Sequence, residues 1–152
     1  MCIRDSCNPQ GFGVLCSRDA DLFGALGILY TSSIFPERFS EEYTITRTIL
    51  GGQRYPDITQ LDPQEVMQRV RKAHHAVLGT TADPIDQLHF THKNAIPLYE
   101  VGHHRRQEYI EELRVRQSNL YLLGNHLNGV GVKDCIRNAE AIAQHINEHE
   151  PQ

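Results

Sequence analysis

A chain of 152 residues with 39% hydrophobic residues has the length of one ordinary domain and enough apolar material to fill a core. A formal charge of -4, with no Lys/Arg run and no interleaving of basic and aromatic residues, excludes the usual nucleic-acid binder. No apolar run approaches the ~20 residues that span a bilayer, and the four cysteines, Cys2, Cys7, Cys16 and Cys135, form no CxxC pair for zinc or a disulfide framework. The expectation is a cytoplasmic protein with reduced thiols, free in solution or resting peripherally on a membrane.

Met1 to Ser6 has neither periodicity nor a cap, and it reads as the in-frame translation of a library adapter, a scar to be set aside from fold reasoning. On that reading the natural chain began further upstream. From Cys7 to Gly52 the pattern is β. Gly11–Cys16, Leu26–Thr31 and Tyr43–Leu50 are short runs rich in β-branched and aromatic residues, the last alternating with period two and ended by Gly51-Gly52. Three antiparallel strands of one sheet are expected. Between the second and third, Ser32–Arg38 reads as a loop with a buried apolar plug, packing being favoured over a substrate-wall role.

Asp62-Pro63-Gln64-Glu65 is a helix start, with Asp at the N-cap, Pro at the first helical position and Glu three residues after the cap. Val66, Val70, Ala73, Val77 and Leu78 follow on one face, and Gly79 closes the helix. His74 and His75 invite a metal reading, but adjacent residues on a helix diverge, so a solvated or half-buried role is expected.

Ile85 to Phe90 alternates weakly and is read as a strand leading into His92–His103. Pro97 forbids helix there and keeps Ile96 extended, which makes this an ordered crossing that presents Tyr99. A second helix is expected from about His103 to Val115, with Tyr109, Ile110 and Leu113 inward. His103-His104 lack the carboxylate or cysteine at ligand spacing that a metal site needs. Leu120–Leu123 suits a strand buried on both faces of a parallel sheet. It ends at Gly124, and the glycines at 124, 129 and 131 punctuate a loop that runs into the last helix. That helix carries Val132, Cys135, Ile136, Ala139, Ile142, Ala143 and Ile146 as an amphipathic stripe, with Cys135 a packing thiol and Asp134 complementing the helix dipole. A helix N-terminus behind a glycine loop presents backbone N–H groups to an anion or polarised ring. An ordinary strand-to-helix connection explains the same residues.

Three segments in order carry a resemblance: Gly11-Phe12-Gly13-Val14-Leu15; His92-Lys93-Asn94-Ala95-Ile96-Pro97-Leu98-Tyr99-Glu100-Val101-Gly102-His103; and Leu123-Gly124-Asn125 with Gly129-Val130-Gly131-Val132-Lys133-Asp134-Cys135-Ile136. Together they resemble the C-terminal part of the oxygen-dependent protoporphyrinogen oxidases, of the flavin amine-oxidase superfamily. The resemblance implies an α/β fragment: residues 7–93 as part of a substrate-binding β-sheet domain, and residues 94–152 as the closing strand and helix of a Rossmann-like FAD domain. It implies FAD as cofactor, bound along Gly124, Asn125, Val130, Gly131, Val132 and Tyr99. The implied substrate is a porphyrinogen, ending at protoporphyrin IX or coproporphyrin III, with molecular oxygen reoxidising the flavin. No residue of this segment reads as a convincing acid or base, and none is named as catalytic. Peripheral membrane association and a homodimer are compatible with it.

Leu98 stands where the family usually has Gln, and His92 where it often has Trp. The G-x-G-x-x-G fingerprint and its ribose-binding acid, which lie at the family's N-terminus, are absent from this sequence. The chain alone is therefore not expected to bind FAD tightly. Another flavin amine oxidase, which would favour an aromatic pair facing the flavin, and a non-catalytic binding module are the competing readings.

Overall fold

The structure, a computed structural model, describes residues 1–3, 9–117 and 119–149, and it divides into two compact units, Met1–Thr91 and His92–Gln152. The fold is mixed α/β. Of the segment set apart as a scar, Arg4–Ser6 lie outside the described residues, as does Cys7, where the β pattern was taken to begin.

In the first unit, β1 (Cys2–Ile3) precedes β2 (Gly13–Leu15) and β3 (Ala25–Leu29), then β4 (Thr44–Ile45) and β5 (Arg47–Leu50). β2, β3 and β5 form an antiparallel sheet in that order, with Val14 opposite Ile28 and Ile28 opposite Thr48. Gly13 is required by this pairing: at φ +149° a Cβ would collide with the Ile28 carbonyl oxygen and lie 2.9 Å from Leu29 Cα. The predicted third strand, Tyr43–Leu50, is split. β4 pairs with β1 in a separate two-stranded ladder, and only β5 joins the sheet. The break is at Thr46, whose N–H donates to Met1 O and whose C=O accepts from the Met1 ammonium, each at 3.0 Å. One residue thus changes partner, and alternation in the sequence does not reveal which ladder each half joins.

The expected loop at Ser32–Arg38 is a short helix, α1 (Thr31–Ile34), and a 3-10 turn at Pro36–Arg38. Its apolar plug is not buried: Phe35 is 38% exposed and is covered instead by the Arg38 guanidinium, 4.6 Å from the ring centroid. Arg54 lies in another 3-10 turn and reaches back to the β2–β3 connection, donating to the carbonyls of Cys16, Ser17, Arg18 and Ala20 at 2.7–3.2 Å. Five donors on a rigid fork suit this gathering of carbonyls.

α2 (Pro63–Leu78) forms as its caps predict. The Asp62 carboxylate accepts from Gln64 N–H at 2.8 Å, and Gly79 ends the helix in the left-handed conformation with its N–H on His75 O. Val66, Val70 and Ala73 are buried, and Ala73 joins Ala25 and Ile28 of β3, with Tyr30 just beyond it, in the core. His74 overturns the solvated or half-buried expectation, for it is 1% exposed. Its Nδ1 lies 2.8 Å from Val70 O, a group that can only accept, so Nδ1 carries the proton and Nε2 accepts from the Thr46 hydroxyl, also at 2.8 Å. The ring ties α2 to the residue where the strands change sheet.

Burial pushes the His74 pKa below the ordinary 6.5; the hydrogen bond to Val70 O opposes this, and the N-terminal ammonium adds to it. Because the folded value is lowered, the folded state takes up a proton less readily than the unfolded one. The stability conferred by neutral His74 is complete above about pH 6.5 and is lost as pH falls through the folded pKa. The urea midpoint should therefore drop on acidification below about pH 6.5, and drop less in His74→Gln. An equal drop in that variant would assign the pH dependence to other groups.

Residues 85–90, predicted as a strand, form no ladder: Ile85 is a bend, Asp86 an isolated bridge, and Ile85, Leu88 and Phe90 are exposed. Alternation makes a strand only where a sheet edge is present to pair with it.

The second unit contains α3 (His103–Arg116) and α4 (Val132–His149). Tyr109 is exposed rather than inward, while Ile110 and Leu113 are half-buried. Leu120–Leu123 does not form the predicted strand, and Leu120 and Leu123 are exposed at 38% and 48%. A parallel strand needs flanking parallel strands, and among the described residues all ladders are antiparallel. The stripe on α4 is divided: Cys135, Ile142 and Ile146 are half-buried, whereas Val132, Ile136, Ala139 and Ala143 form an exposed row. Cys16 and Cys135 are free thiols. Among the described residues no helix is long and apolar enough to cross a membrane.

Candidate functional site

The connection from Gly124 to Gly131 has no ladder, so its shape depends on side chains that reach it. Leu127 is its buried anchor; its N–H donates to Gly124 O at 3.1 Å, and Asn138 of α4 donates to Leu127 O at 3.5 Å. Gln107 of α3 donates to Asn128 Oδ1 at 3.2 Å. The Tyr99 hydroxyl donates to Asn125 O at 3.0 Å and accepts from Gly129 N–H at 2.9 Å. Asn125 Nδ2 lies 3.4 Å from Ala95 O, which brings the crossing segment and the loop together a second time. The Tyr99 ring stacks on His103, with centroids 4.1 Å apart and planes 10° from parallel.

The loop ends on the first turn of α4, where Asp134 N–H and Cys135 N–H both donate to Gly131 O. The N–H groups of Val132 and Lys133 are those that a helix leaves without an intrahelical acceptor. The Asp134 carboxylate packs against the backbone of Gly129 and Gly131, while its Oδ1 accepts from Arg137 at 2.9 Å. A Cβ at Gly129, where φ is +129°, would lie 2.6 Å from Asp134 Cγ, so glycine is needed there for both its conformation and its size. A groove of about 340 Å³ runs between α3 and α4, bordered by Gln107, Leu123, Gly124, Leu127 and Ile142.

The predicted residues thus lie together. Tyr99, Gly124, Asn125 and the run Val130, Gly131, Val132 belong to one loop and its clamp, and the Val130 and Val132 side chains are exposed. His103, which stacks on Tyr99, and Gln107 and Asn138, which bond to the loop, were not singled out for these contacts. The signal for two of them was local, because His103 and Gln107 share a helix face at i, i+4.

Residues 5–147 match the family of flavin containing amine oxidoreductases. The chain belongs to that family. It is 32% identical over 93% of its length to protoporphyrinogen oxidase of Homo sapiens, covering 31% of that protein. To protoporphyrinogen oxidase 2, chloroplastic/mitochondrial, of Arabidopsis thaliana it is 28% identical over 84% of its length and 25% of the relative. Coproporphyrinogen III oxidase of Bacillus subtilis (strain 168) is 26% identical over 87% of this chain and 28% of its own. The solved structure of a protein provisionally named protoporphyrinogen oxidase, from Exiguobacterium sp. 255-15, superposes with a TM-score of 0.82 at 21% identity, covering 99% of this chain and 34% of that one. This last likeness shows the fold.

The chain therefore spans about a quarter to a third of the relatives' length. Flavin is the cofactor class of the family. The residues present fit one edge of such a group through the N-terminal donors of α4, while the space beside Gly129 and Gly131 is taken by the Asp134 carboxylate.

Proposed function

We propose that this chain supplies the C-terminal half of an FAD site in an oxidase that converts protoporphyrinogen IX or coproporphyrinogen III to the porphyrin in haem biosynthesis, with molecular oxygen as acceptor. The observation that carries the proposal is the Tyr99-clamped loop ending on the first turn of α4, in a chain whose relatives bear the names of porphyrinogen oxidases. FAD, when bound, would supply the redox chemistry by accepting hydride from the macrocycle. This chain's residues bind and orient. The backbone of Val130, Gly131 and Val132 would hold the flavin end, Gly124 and Asn125 would line the same crevice, and the positive end of α4 would favour negative charge there. Asp134 brings an opposing charge to the same turn, and its ion pair with Arg137 offsets it. We assign this segment a binding role.

The test is porphyrin fluorescence developing in air when the full-length protein is given each porphyrinogen in turn. Porphyrin formation from one and not the other also identifies the substrate. Amine turnover without porphyrin would support a different flavin amine oxidase, and no turnover with no bound flavin would support a binding module.

A further inference from the structure

Tyr99 was expected to touch the cofactor, yet its hydroxyl is already engaged on both sides. It donates to Asn125 O and accepts from Gly129 N–H, at 3.0 and 2.9 Å, and so fixes the distance across four residues of an irregular loop. Among the described residues the other side-chain ties of this loop, Gln107 to Asn128, Asn125 to Ala95 and Asn138 to Leu127, are longer, at 3.2, 3.4 and 3.5 Å. The ring that carries the hydroxyl is held in turn. Pro97 limits the approach to Tyr99, and Gly102, at φ +89°, opens α3 so that His103 turns back under it, with His103 N–H on Glu100 O at 3.0 Å. The two rings lie nearly parallel at 4.1 Å. His103 Nε2 is buried with no hydrogen-bond partner among the described residues, so its contact with Tyr99 is made by the plane of the ring.

We propose that Tyr99 and His103 are positioning residues: the hydroxyl of Tyr99, steadied by the stack on His103, sets the shape of the Asn125–Gly129 loop and hence the aim of the α4 donors toward a flavin. The final step of this inference rests on the function proposed above; the clamp itself does not.

Three variants of the full-length protein separate the steps. Tyr99→Phe keeps the stack and removes the bridge. It should raise amide hydrogen exchange at Gly129 by roughly two- to tenfold, the range of one net hydrogen bond, weaken FAD binding by a similar factor, and alter the visible absorption band of the bound flavin. His103→Ala should act in the same direction, while His103→Phe, which restores the plane without the nitrogens, should return all three readouts to wild type. Unchanged Gly129 exchange in Tyr99→Phe would overturn the clamp. Equal damage from His103→Phe and His103→Ala would overturn the stacking role. Altered exchange with unchanged FAD binding and spectrum would overturn the positioning step alone. A wild-type protein that takes up no flavin would overturn the proposed function and the positioning step with it, and Gly129 exchange would still decide the clamp.

Discussion

Replacing Ile28 by alanine is expected to cost the Met1–Thr91 unit about 2–5 kcal/mol, the range for emptying a fully buried aliphatic site. Ile28 is fully buried, with Ala25, Tyr30 and Ala73 around it and Val14 and Thr48 opposite it on the neighbouring strands. The space it fills lies between the sheet and α2, where both backbones are fixed by their own hydrogen bonds and can collapse only in part. Ile49, one position further along β5, is 47% exposed and provides the control. Its truncation should cost well under half as much, since a partly solvated side chain leaves no sealed cavity. Chemical denaturation of the two variants checks this, and equal losses would contradict the placement of the core.

Gly129→Ala is expected to have the larger effect on the site. Its Cβ would meet Asp134 Cγ at 2.6 Å and Oδ2 at 2.8 Å, and its φ of +129° is one that an L side chain rarely adopts. The conformational strain alone is about 1–3 kcal/mol, and relieving it means moving the N–H that Tyr99 accepts. Gly131→Ala should be milder, because its Cβ would approach only the carboxylate tip of Asp134, at 3.0 Å. In the full-length protein, the Kd for FAD, followed by flavin absorbance, should rise about tenfold for Gly129→Ala, the factor of one 1.4 kcal/mol step, and less for Gly131→Ala. The reverse order would place the close contact elsewhere in the loop.

What could be read from the sequence was what is determined locally. The caps Asp62 and Gly79 delimit α2 because each acts on its own helix end. The stripe of α4 has the right period, since period is a property of the helix, but its covering is not: Val132 is 78% exposed while Cys135 is half-buried. His74 was misplaced for the same reason. Its buried ring is bonded to Thr46, 28 residues away, and nothing beside it in the chain announces that partner. Leu120–Leu123 has the composition of a buried strand without the neighbours that would make it one.

The site divides along the same line. The glycines at 124, 129 and 131 marked a loop where backbone could approach a ligand, and the family resemblance joined Tyr99 to it. The hydrogen bonds that hold the two together span 26 and 30 residues and are visible only in three dimensions. Arg54, with its four carbonyl acceptors, left no trace in the sequence that distinguishes it from a surface arginine.

The central claim is that Tyr99 and Gly124–Val132 form one half of a flavin site. Its most direct test is the visible absorbance of the purified 152-residue chain after incubation with FAD, beside that of a polypeptide that also carries a dinucleotide-binding half. The expected result is about one flavin per chain in the longer polypeptide and no stoichiometric flavin in the shorter. Stoichiometric flavin on the 152 residues alone, or on neither, would contradict it.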